Sequence, residues 1–282
     1  MKLKALYRDL QNRLEKAPNA DPGFEAFYLL RQVLGISRRD LYGPDREVSE
    51  EHISALYRLT HRRLGGEPLQ YLLGEWEFFG LPMAVGPGVL IPRPETELLA
   101  ELALAELAGL QNPRVLDLCS GTGCIPVAVA KHRPDALVWG VELSEEALPY
   151  FRRNTAQNGA ANVTVVAGDA LDPPEEVRAR QVHVITCNPP YVTREEMAAL
   201  QTEVTWEPPM ALDGGVDGLD FYRRLPGVCL PLLEPGGLLL LEIGETQGPA
   251  VAALLAGAGF GAVEVRQDLG GLDRVVTGRK PG

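Results

Sequence analysis

The sequence predicts an α/β protein: a doubly wound, mostly parallel seven-stranded sheet that ends in an antiparallel hairpin and follows a small helical domain. From residue 95 onward, short all-apolar runs alternate with helical patterns, which is typical of a parallel sheet covered on both faces. Before residue 71, apolar residues recur at helical spacing. We therefore predict a helical domain at 1–70, a connecting segment at 71–94 and the α/β domain at 95–282.

The helical domain is predicted from two apolar faces. The first consists of Phe24, Tyr28, Leu29 and Val33, and the second of Ile53, Leu56, Tyr57, Thr60 and Leu64. Ser49 precedes two glutamates and is suited to cap the helix of the second face, because its hydroxyl can accept from a free amide of the first turn. Gly65 and Gly66 are suited to end that helix.

The connecting segment combines an aromatic stretch with a run of prolines. Alternation between Tyr71 and Val85 puts Trp76 and Phe78 on one face, and Gly80 can supply a turn, so we predict a small hairpin. Residues 86–94 contain three prolines, which restrict the backbone and predict a stiff connector.

The parallel strands of the second domain are predicted at five apolar runs: 114–118, 136–141, 163–166, 182–187 and 237–243. Helices are predicted after the first two strands and before the last. The end of the chain departs from this repetition, since the runs 262–265 and 274–277 flank a Gly270-Gly271 turn. We expect these two runs to form the antiparallel hairpin.

The composition limits the classes of function. The net charge is −11, and the excess of acid lies in residues 85–282, which hold 15 Lys and Arg against 26 Asp and Glu. A surface built to neutralise phosphates is usually basic, so direct binding of nucleic acid is not expected. The four cysteines form no Cys-x-x-Cys pair and the four histidines are scattered, so we expect neither a metal site nor disulfides. Because no apolar run approaches a membrane span, we expect a cytoplasmic protein without membrane association.

A glycine-containing turn follows the first predicted strand. Asp117 lies at the end of that strand, and the turn consists of Cys119, Ser120, Gly121, Thr122 and Gly123. Such a turn brings backbone amides close to a nucleotide, although a packing turn has the same pattern. The third glycine of the dinucleotide fingerprint is missing, and so is the Gly-Lys-Ser/Thr of a phosphate loop. A carboxylate at the mouth of the turn would repel a pyrophosphate and attract an ammonium or sulfonium. This favours S-adenosyl-L-methionine as the cofactor.

Two further acids follow the next two strands. Glu142 ends the second strand and can accept both ribose hydroxyls of an adenosine cofactor; the alternative is an exposed acid near the start of a helix. Asp169, followed by Ala170, comes after the third strand, where its carboxylate can accept from the adenine amino group. Asp is also an ordinary turn residue.

The fourth strand runs into Asn188-Pro189-Pro190-Tyr191. A proline-rich loop needs no function, but ligands of open α/β sheets lie at the carboxyl ends of the strands, where the first and fourth strands would be neighbours. Asn188 can accept one N–H through its side-chain oxygen and the Pro189 carbonyl can accept another, which directs the lone pair of an amide or aromatic amine toward a methyl donor. Tyr191 offers a flat face to a planar group. The loop therefore predicts methyl transfer to nitrogen.

Together these residues resemble the class I S-adenosylmethionine-dependent methyltransferases of the HemK/PrmC type. The resemblance spans roughly residues 20–280 and includes the stretches 66–74, 78–80, 89–97, 207–208, 211–212, 217–219 and 273–275 and the single position Gly215. It implies a methyltransferase fold and transfer of a methyl group to the glutamine amide in the GGQ motif of peptide-chain release factors, held by the helical domain. By position, the cofactor loop falls on Cys119 to Gly123, the ribose acid on Glu142, the adenine side on Asp169-Ala170, and the glutamine site on Asn188 to Tyr191.

The chain departs from the pattern of that family at three positions. Cys119 stands where glycine is usual, Glu142 where aspartate is common, and Ala170 where a larger apolar or aromatic residue is frequent. The first departure implies either a backbone angle that a cysteine accepts or an altered turn. The last removes a packing surface for adenine unless Leu171 replaces it.

Two other functions stay open on the sequence. A ribosomal-protein glutamine methyltransferase would share this architecture, and a nucleic-acid methyltransferase acting on exocyclic amines would share the Asn-Pro-Pro-Tyr loop. The acidic α/β domain disfavours the second of these. A dehydrogenase is disfavoured by Asp117 and by the terminal hairpin.

Overall fold

The chain folds into two compact units, which the computed structural model describes over residues 1–18 and 20–282. One unit comprises Met1–Glu75 together with Leu200–Glu207, and the other comprises Trp76–Ala199 together with Pro208–Gly282. The sequence pattern does not predict that Leu200–Glu207 belongs to the helical unit, because this segment carries no helical periodicity linking it to residues 1–70. The domain bounds at 70 and 94 stay a prediction.

The first unit is built from helices that pack around a leucine core. The α-helices are α1 (Leu3–Leu14), α2 (Pro22–Leu34), α3 (Glu50–Leu64) and α4 (Leu69–Leu73). Of the two predicted faces, Leu29, Ile53, Leu56 and Thr60 are buried, and Phe24, Tyr28, Val33, Tyr57 and Leu64 pack partly buried against the same core. The predicted helices are therefore confirmed.

The ends of α3 follow the predicted capping chemistry. The Ser49 side chain accepts a hydrogen bond from the backbone amide of His52, which satisfies one of the free amides of the first turn. At the other end, Gly65 is the C-cap and Gly66 has a φ of +88°. A Cβ at Gly66 would lie 2.5 Å from the Thr202 methyl group, so this glycine also permits close packing of the segment Leu200–Glu207.

A buried ion-pair network holds that segment within the helical unit. Arg63 is only 2% exposed, and its guanidinium donates to both Glu25 oxygens at 2.8 and 3.0 Å and to the Pro18 carbonyl at 2.9 Å. It also donates to Glu203. Burial raises the pKa of Glu25 even though the guanidinium opposes the shift. Two acids facing one buried cation keep its charge compensated.

The predicted hairpin is confirmed, with one correction at its start. It consists of β1 (Glu75–Phe78) and β2 (Leu81–Ala84), joined by Phe79 and Gly80, whose φ angles of +53° and +72° suit a tight two-residue turn. Tyr71 does not belong to this alternating stretch, contrary to the prediction. It lies in α4, which begins after Pro68 and ends at Gly74 in the left-handed conformation.

The second unit contains a seven-stranded sheet in the described part of the chain, with the order β5-β4-β3-β6-β7-β9-β8. Its strands are β3 (Arg114–Leu118), β4 (Leu137–Glu142), β5 (Val163–Ala167), β6 (Val182–Cys187), β7 (Leu233–Glu242), β8 (Gly261–Gln267) and β9 (Asp273–Arg279). All neighbours from β5 to β7 pair in parallel, and β9 pairs antiparallel with both β7 and β8. The predicted fold class and terminal hairpin are confirmed.

The α-helices of this unit are α5 (Glu97–Glu106), α6 (Cys124–His132), α7 (Leu148–Gln157), α8 (Glu175–Arg178), α9 (Arg194–Met197), α10 (Asp220–Leu232) and α11 (Gly248–Gly257). Of these, α5, α6, α7, α10 and α11 pack against strands of the sheet. This unit has two large clusters of buried apolar residues, and the buried residues of the strands are divided between the two clusters. This is expected for a sheet whose two faces are both covered. None of the helices in the described residues has the length and apolar character needed to cross a bilayer.

Strand order decides where a site can form. The first predicted strand, β3, lies directly beside β6, with Asp117 opposite Thr186 and Leu118 opposite Cys187. The chain therefore reverses its direction of winding between β3 and β6, and ligands of open α/β sheets bind at the carboxyl ends of strands beside such a switch.

Candidate active site

A crevice with a cavity volume of about 110 Å³ opens at the carboxyl ends of β3, β4, β5 and β6. Residues predicted from the sequence line it from every one of these strand ends: Cys119, Gly121, Glu142, Asp169, Ala170, Asn188 and Pro190. Apolar side chains, including Leu143, Ala147, Met210 and Phe221, form much of the rest of the wall.

The turn after β3 keeps the shape of a glycine loop despite its cysteine. Cys119 has a φ of +58°, and Gly121 and Gly123 have φ angles of +53° and +76°. The cysteine thus adopts the left-handed angle, at a cost of about 1–2 kcal/mol relative to glycine. Of the two implied outcomes, the turn is retained and the cysteine accepts its backbone angle.

Gly121 and Gly123 meet different surroundings. A Cβ at Gly121 would have no heavy atom within 4 Å, and Gly121 lines the crevice. A Cβ at Gly123 would overlap the ring of Phe151, which is fully buried. Gly123 therefore serves close packing against α7. Ser120 and Thr122, also predicted to contact the cofactor, are 6% and 2% exposed and lie outside the described lining of the crevice.

Asp117 is not among the described lining residues of the crevice, and the prediction that it stands at the mouth of the turn is wrong. The side chain is fully buried, and its Oδ1 accepts from the Thr186 hydroxyl at 2.6 Å. Among the described residues its Oδ2 has no hydrogen-bond partner. Burial raises the pKa of Asp117 to about 7, although the nearby hydroxyls of Ser120 and Thr186 favour the carboxylate. The sequence shows that an acid ends this strand but not how deeply it is buried.

Glu142 connects β4 to the glycine loop. One carboxylate oxygen accepts from the Gly121 amide at 2.6 Å and the other from the Ser144 amide at 2.7 Å. The residue is 8% exposed and lines the crevice, so it is not an exposed acid at a helix start. Each oxygen of a carboxylate has a further lone pair, which leaves Glu142 able to accept from a ligand hydroxyl.

Asp169 and Ala170 line the crevice after β5. Asp169 Oδ1 accepts from the Leu171 amide at 2.8 Å, the local bond expected of Asp in a turn. Ala170 is 5% exposed and belongs to the apolar core, and Leu171 packs partly buried against that core. The wall is therefore shaped here by a small side chain.

The Asn-Pro-Pro-Tyr loop contributes part of its residues to the crevice. Asn188 and Pro190 line it, whereas Pro189 and Tyr191 are not among the described lining residues. The Tyr191 carbonyl accepts from Gln247 at 3.1 Å, and burial raises the pKa of its phenol to about 12. A Cβ at Gly214 would lie 2.6 Å from the Tyr191 Cα, so the backbone of the loop is held by close packing.

The charges on the crevice suit a cation without phosphate. Its described lining includes the carboxylates of Glu142 and Asp169 and neither lysine nor arginine. A pyrophosphate would meet two acids there without a compensating base. S-adenosyl-L-methionine carries an ammonium and a sulfonium, and these positive charges suit an acidic lining. Across residues 1–18 and 20–282, no cluster of His, Cys, Asp and Glu is placed to hold a metal ion.

Comparison with known proteins agrees with this geometry. Residues 5–74 match the PrmC N-terminal domain, and residues 95–212 match the methyltransferase small domain. A release factor glutamine methyltransferase of Thermodesulfovibrio yellowstonii is 41% identical over 255 residues, which are 89% of this chain and 90% of that protein. The chain belongs to the release factor glutamine methyltransferase family. The family resemblance expected from the motifs is confirmed.

A second member of the release factor glutamine methyltransferase family, from Deinococcus radiodurans, is 38% identical over 283 residues and covers both chains completely. A methyltransferase structure from Pyrococcus furiosus is 19% identical, with a TM-score of 0.53 over 73% of this chain and 91% of that one. At this identity the second likeness supports the fold alone.

Two polar residues beside the crevice of this family member were not predicted from the sequence. Asn188 Nδ2 donates to Thr96 Oγ1 at 3.3 Å, and the Thr96 side chain is hydrogen-bonded to the Glu242 carboxylate. Both residues are buried, Thr96 at 3% and Glu242 at 1% exposure. A signal for Glu242 exists, since it is an acid that ends a leucine-rich strand, as Glu142 ends β4. Thr96 carries no comparable signal.

Proposed function

We propose that this chain transfers a methyl group from S-adenosyl-L-methionine to the side-chain amide nitrogen of the glutamine in the GGQ motif of peptide-chain release factors. One observation carries the proposal: the glycine loop with Glu142 and the loop with Asn188 line the same crevice. Membership of the release factor glutamine methyltransferase family supports this substrate.

The cofactor would be held by the residues around the glycine loop. We assign Glu142 to the ribose hydroxyls, because both of its oxygens are already fixed in place by backbone amides. Asp169 and Ala170 would lie on the adenine side, and Cys119 and Gly121 would contact the cofactor through the turn. Asp117, Ser120, Thr122 and Gly123 support that turn from below. When bound, S-adenosyl-L-methionine supplies an electrophilic methyl group on a sulfonium that leaves as a neutral thioether.

The chain contributes positioning to this reaction. An amide nitrogen is a weak nucleophile because its lone pair is delocalised into the carbonyl. Asn188 Oδ1 accepts one N–H of the glutamine amide and the Pro189 carbonyl accepts the other, which turns the lone pair toward the methyl group. The rigid Pro189-Pro190 backbone maintains these acceptors. A strong base is not needed before transfer, in keeping with the absence of histidine from the described lining of the crevice.

Apolar side chains exclude water from the reacting groups. Leu143, Met210 and Phe221 line the crevice, and Met210 and Leu143 are 51% and 56% exposed. Exposed apolar side chains at the rim of a pocket are typical of a surface that a partner covers. A release-factor loop that enters the crevice would bury them, and its glutamine would meet Asn188 in a dry environment.

The proposal is tested by incubating the chain with radiolabelled S-adenosyl-L-methionine and four acceptors in parallel: a release factor, the same factor with its GGQ glutamine changed, ribosomal proteins and RNA. Label should enter only the unchanged release factor. Label in RNA or ribosomal proteins, or label in the factor without its glutamine, would overturn the assignment.

The variant Asn188→Ala tests the role of the loop separately. It should abolish transfer to the release factor and leave the dissociation constant of S-adenosyl-L-methionine nearly unchanged, because the amide contacts the acceptor. If cofactor binding falls in proportion to the rate, Asn188 does not act as assigned.

A further inference from the structure

The amide of Asn188 can face the substrate in two ways. Its oxygen accepts hydrogen bonds and its NH2 group donates them, and the two groups have nearly the same shape. A glutamine amide nitrogen carries only donors toward this site, so an Asn188 turned by 180° would present donors to donors. The proposed reaction therefore needs a device that keeps the Asn188 oxygen toward the crevice.

The contacts of Thr96 provide such a device. Asn188 Nδ2 lies 3.3 Å from Thr96 Oγ1, and the Thr96 hydroxyl is hydrogen-bonded to Glu242. A threonine hydroxyl has a single proton, and an ionised carboxylate can only accept. The hydroxyl therefore donates to Glu242, which leaves its lone pairs for Asn188. Those lone pairs accept from the NH2 group and would repel the oxygen.

The surroundings of Glu242 maintain the direction of this chain of hydrogen bonds. Glu242 ends β7, and Arg274 and Arg93 favour its carboxylate, while burial and the nearby Glu95 oppose it. The balance raises the pKa of Glu242 to about 7, so the group is mainly ionised at pH 8. Among the described residues, its Oε2 has no hydrogen-bond partner.

We propose that Thr96 and Glu242 are positioning residues, which fix the Asn188 amide with its oxygen toward the acceptor glutamine. The proposal rests on the proposed function, since it specifies how that same site holds its acceptor. Thr96 precedes α5 and Glu242 ends β7, so two elements far apart in sequence set the orientation of one side chain on the loop after β6.

The test compares Thr96→Val with Thr96→Ser at pH 8. Valine keeps the shape of threonine and removes the hydroxyl, whereas serine keeps the hydroxyl. Thr96→Val should lower kcat for methylation of a release factor about tenfold, which corresponds to ~1.4 kcal/mol in the activation barrier. Thr96→Ser should recover most of the rate. The KM for the release factor and the dissociation constant of S-adenosyl-L-methionine should change less than the rate in both variants.

Thr277→Val is the matched control, because Thr277 is also a buried threonine, at 6% exposure, and lies in β9 outside the crevice lining. It should leave kcat unchanged, and thermal unfolding should report any loss of stability in each variant. A kcat of Thr96→Val equal to that of the wild type would overturn the proposal.

Glu242→Gln tests the other end of the chain of hydrogen bonds. A glutamine can donate to Thr96 as well as accept, so it no longer fixes the direction, and kcat should fall with unfolding little changed. A wild-type kcat in this variant would remove Glu242 from the device.

A readout without the methyl acceptor separates this proposal from the proposed function. In ¹⁵N-labelled protein, the side-chain NH2 group of Asn188 should be protected from hydrogen exchange in the wild type and in Thr96→Ser, and lose that protection in Thr96→Val. Equal exchange in all three would overturn the positioning role. If the wild type shows the protection but methylates no release factor, the proposed function fails and the orientation of the amide stands.

Discussion

The two glycines of the turn after β3 should respond differently to the same substitution. Gly121 and Gly123 both have positive φ, so alanine is strained at either position. Only Gly123 lacks space, because its Cβ would overlap the Phe151 ring, and the same ring fills the position of a Cβ at Gly140. Phe151 is fully buried between these glycines and cannot move away without displacing its neighbours.

The magnitudes follow from these two terms. A left-handed backbone costs an alanine about 1–2 kcal/mol, and forcing an extra group into a packed core costs about 1–3 kcal/mol more. Gly121→Ala should therefore lower the free energy of unfolding by about 1–2 kcal/mol, and Gly123→Ala by about 2–5 kcal/mol. The second loss is a large part of the total of about 5–15 kcal/mol that is usual for a folded protein.

Guanidinium unfolding of both variants measures the difference between their free energies of unfolding. This difference is read from the shift in the midpoint concentration of denaturant, provided that the dependence of the free energy on denaturant stays the same. Gly123→Ala in a Phe151→Leu background should lose less than the sum of the single losses, with a coupling of about 1 kcal/mol or more, because the smaller side chain makes room. Equal losses for the two glycines, or strictly additive losses in the double variant, would refute the packing role of Gly123. Binding of S-adenosyl-L-methionine should weaken in Gly121→Ala, because Gly121 lines the crevice.

Three further predictions concern the cofactor, the helical unit and pH. Glu142→Ala should raise the dissociation constant of S-adenosyl-L-methionine, measured by calorimetry, about tenfold or more; an unchanged constant would count against ribose contact. Arg63→Ala leaves Glu25 buried without its cation and should lower the free energy of unfolding by about 3–5 kcal/mol, whereas Arg266→Ala, in an exposed pair, should lower it by under about 1 kcal/mol. Similar losses of free energy of unfolding in these two variants would contradict the stabilising role of the buried network. The pKa of Asp117 is raised from 3.8 to about 7 in the folded state, so the folded protein binds this proton more tightly and the free energy of unfolding should fall as pH rises from about 4 to about 7. Urea unfolding at several pH values gives the free energy of unfolding as a function of pH. Asp117→Asn should make this free energy fall less steeply between about pH 4 and about pH 7, and an unchanged pH dependence would exclude the assigned pKa.

The sequence predicts strands well where an apolar run has clear ends. The predicted runs 114–118 and 182–187 coincide with β3 and β6. β7 begins at Leu233, before the predicted residue 237, because its pairing with β6 shifts register between Val182 and Val184 and passes through Glu234-Pro235-Gly236. Proline and glycine in that stretch indicate a turn, and only the neighbouring strand shows that Leu233, before the irregular stretch, pairs with Val182.

The site was predictable to the extent that strand ends carry unusual residues. Polar side chains directly after apolar strands identify Glu142 and Asn188, and the sheet order brings them together. The burial of these side chains was not predictable in this way. The burial of Asp117, for example, depends on the elements that cover the end of its strand. The contact between Thr96 and Asn188 joins positions 92 residues apart and depends on how α5 packs, which no local pattern encodes.

The membership of Leu200–Glu207 in the helical unit has a consequence for synthesis on the ribosome. Chains emerge with the N-terminal end first, and domains usually fold as they appear. Here α1 to α4 emerge early, but Glu203, one of the two acids that face Arg63, follows only after the strands β1 to β6. The helical unit therefore stays incomplete, with Glu25 as the acid available to Arg63, until most of the parallel sheet has been translated and Glu203 has emerged. Its completion marks a late step in the maturation of the chain.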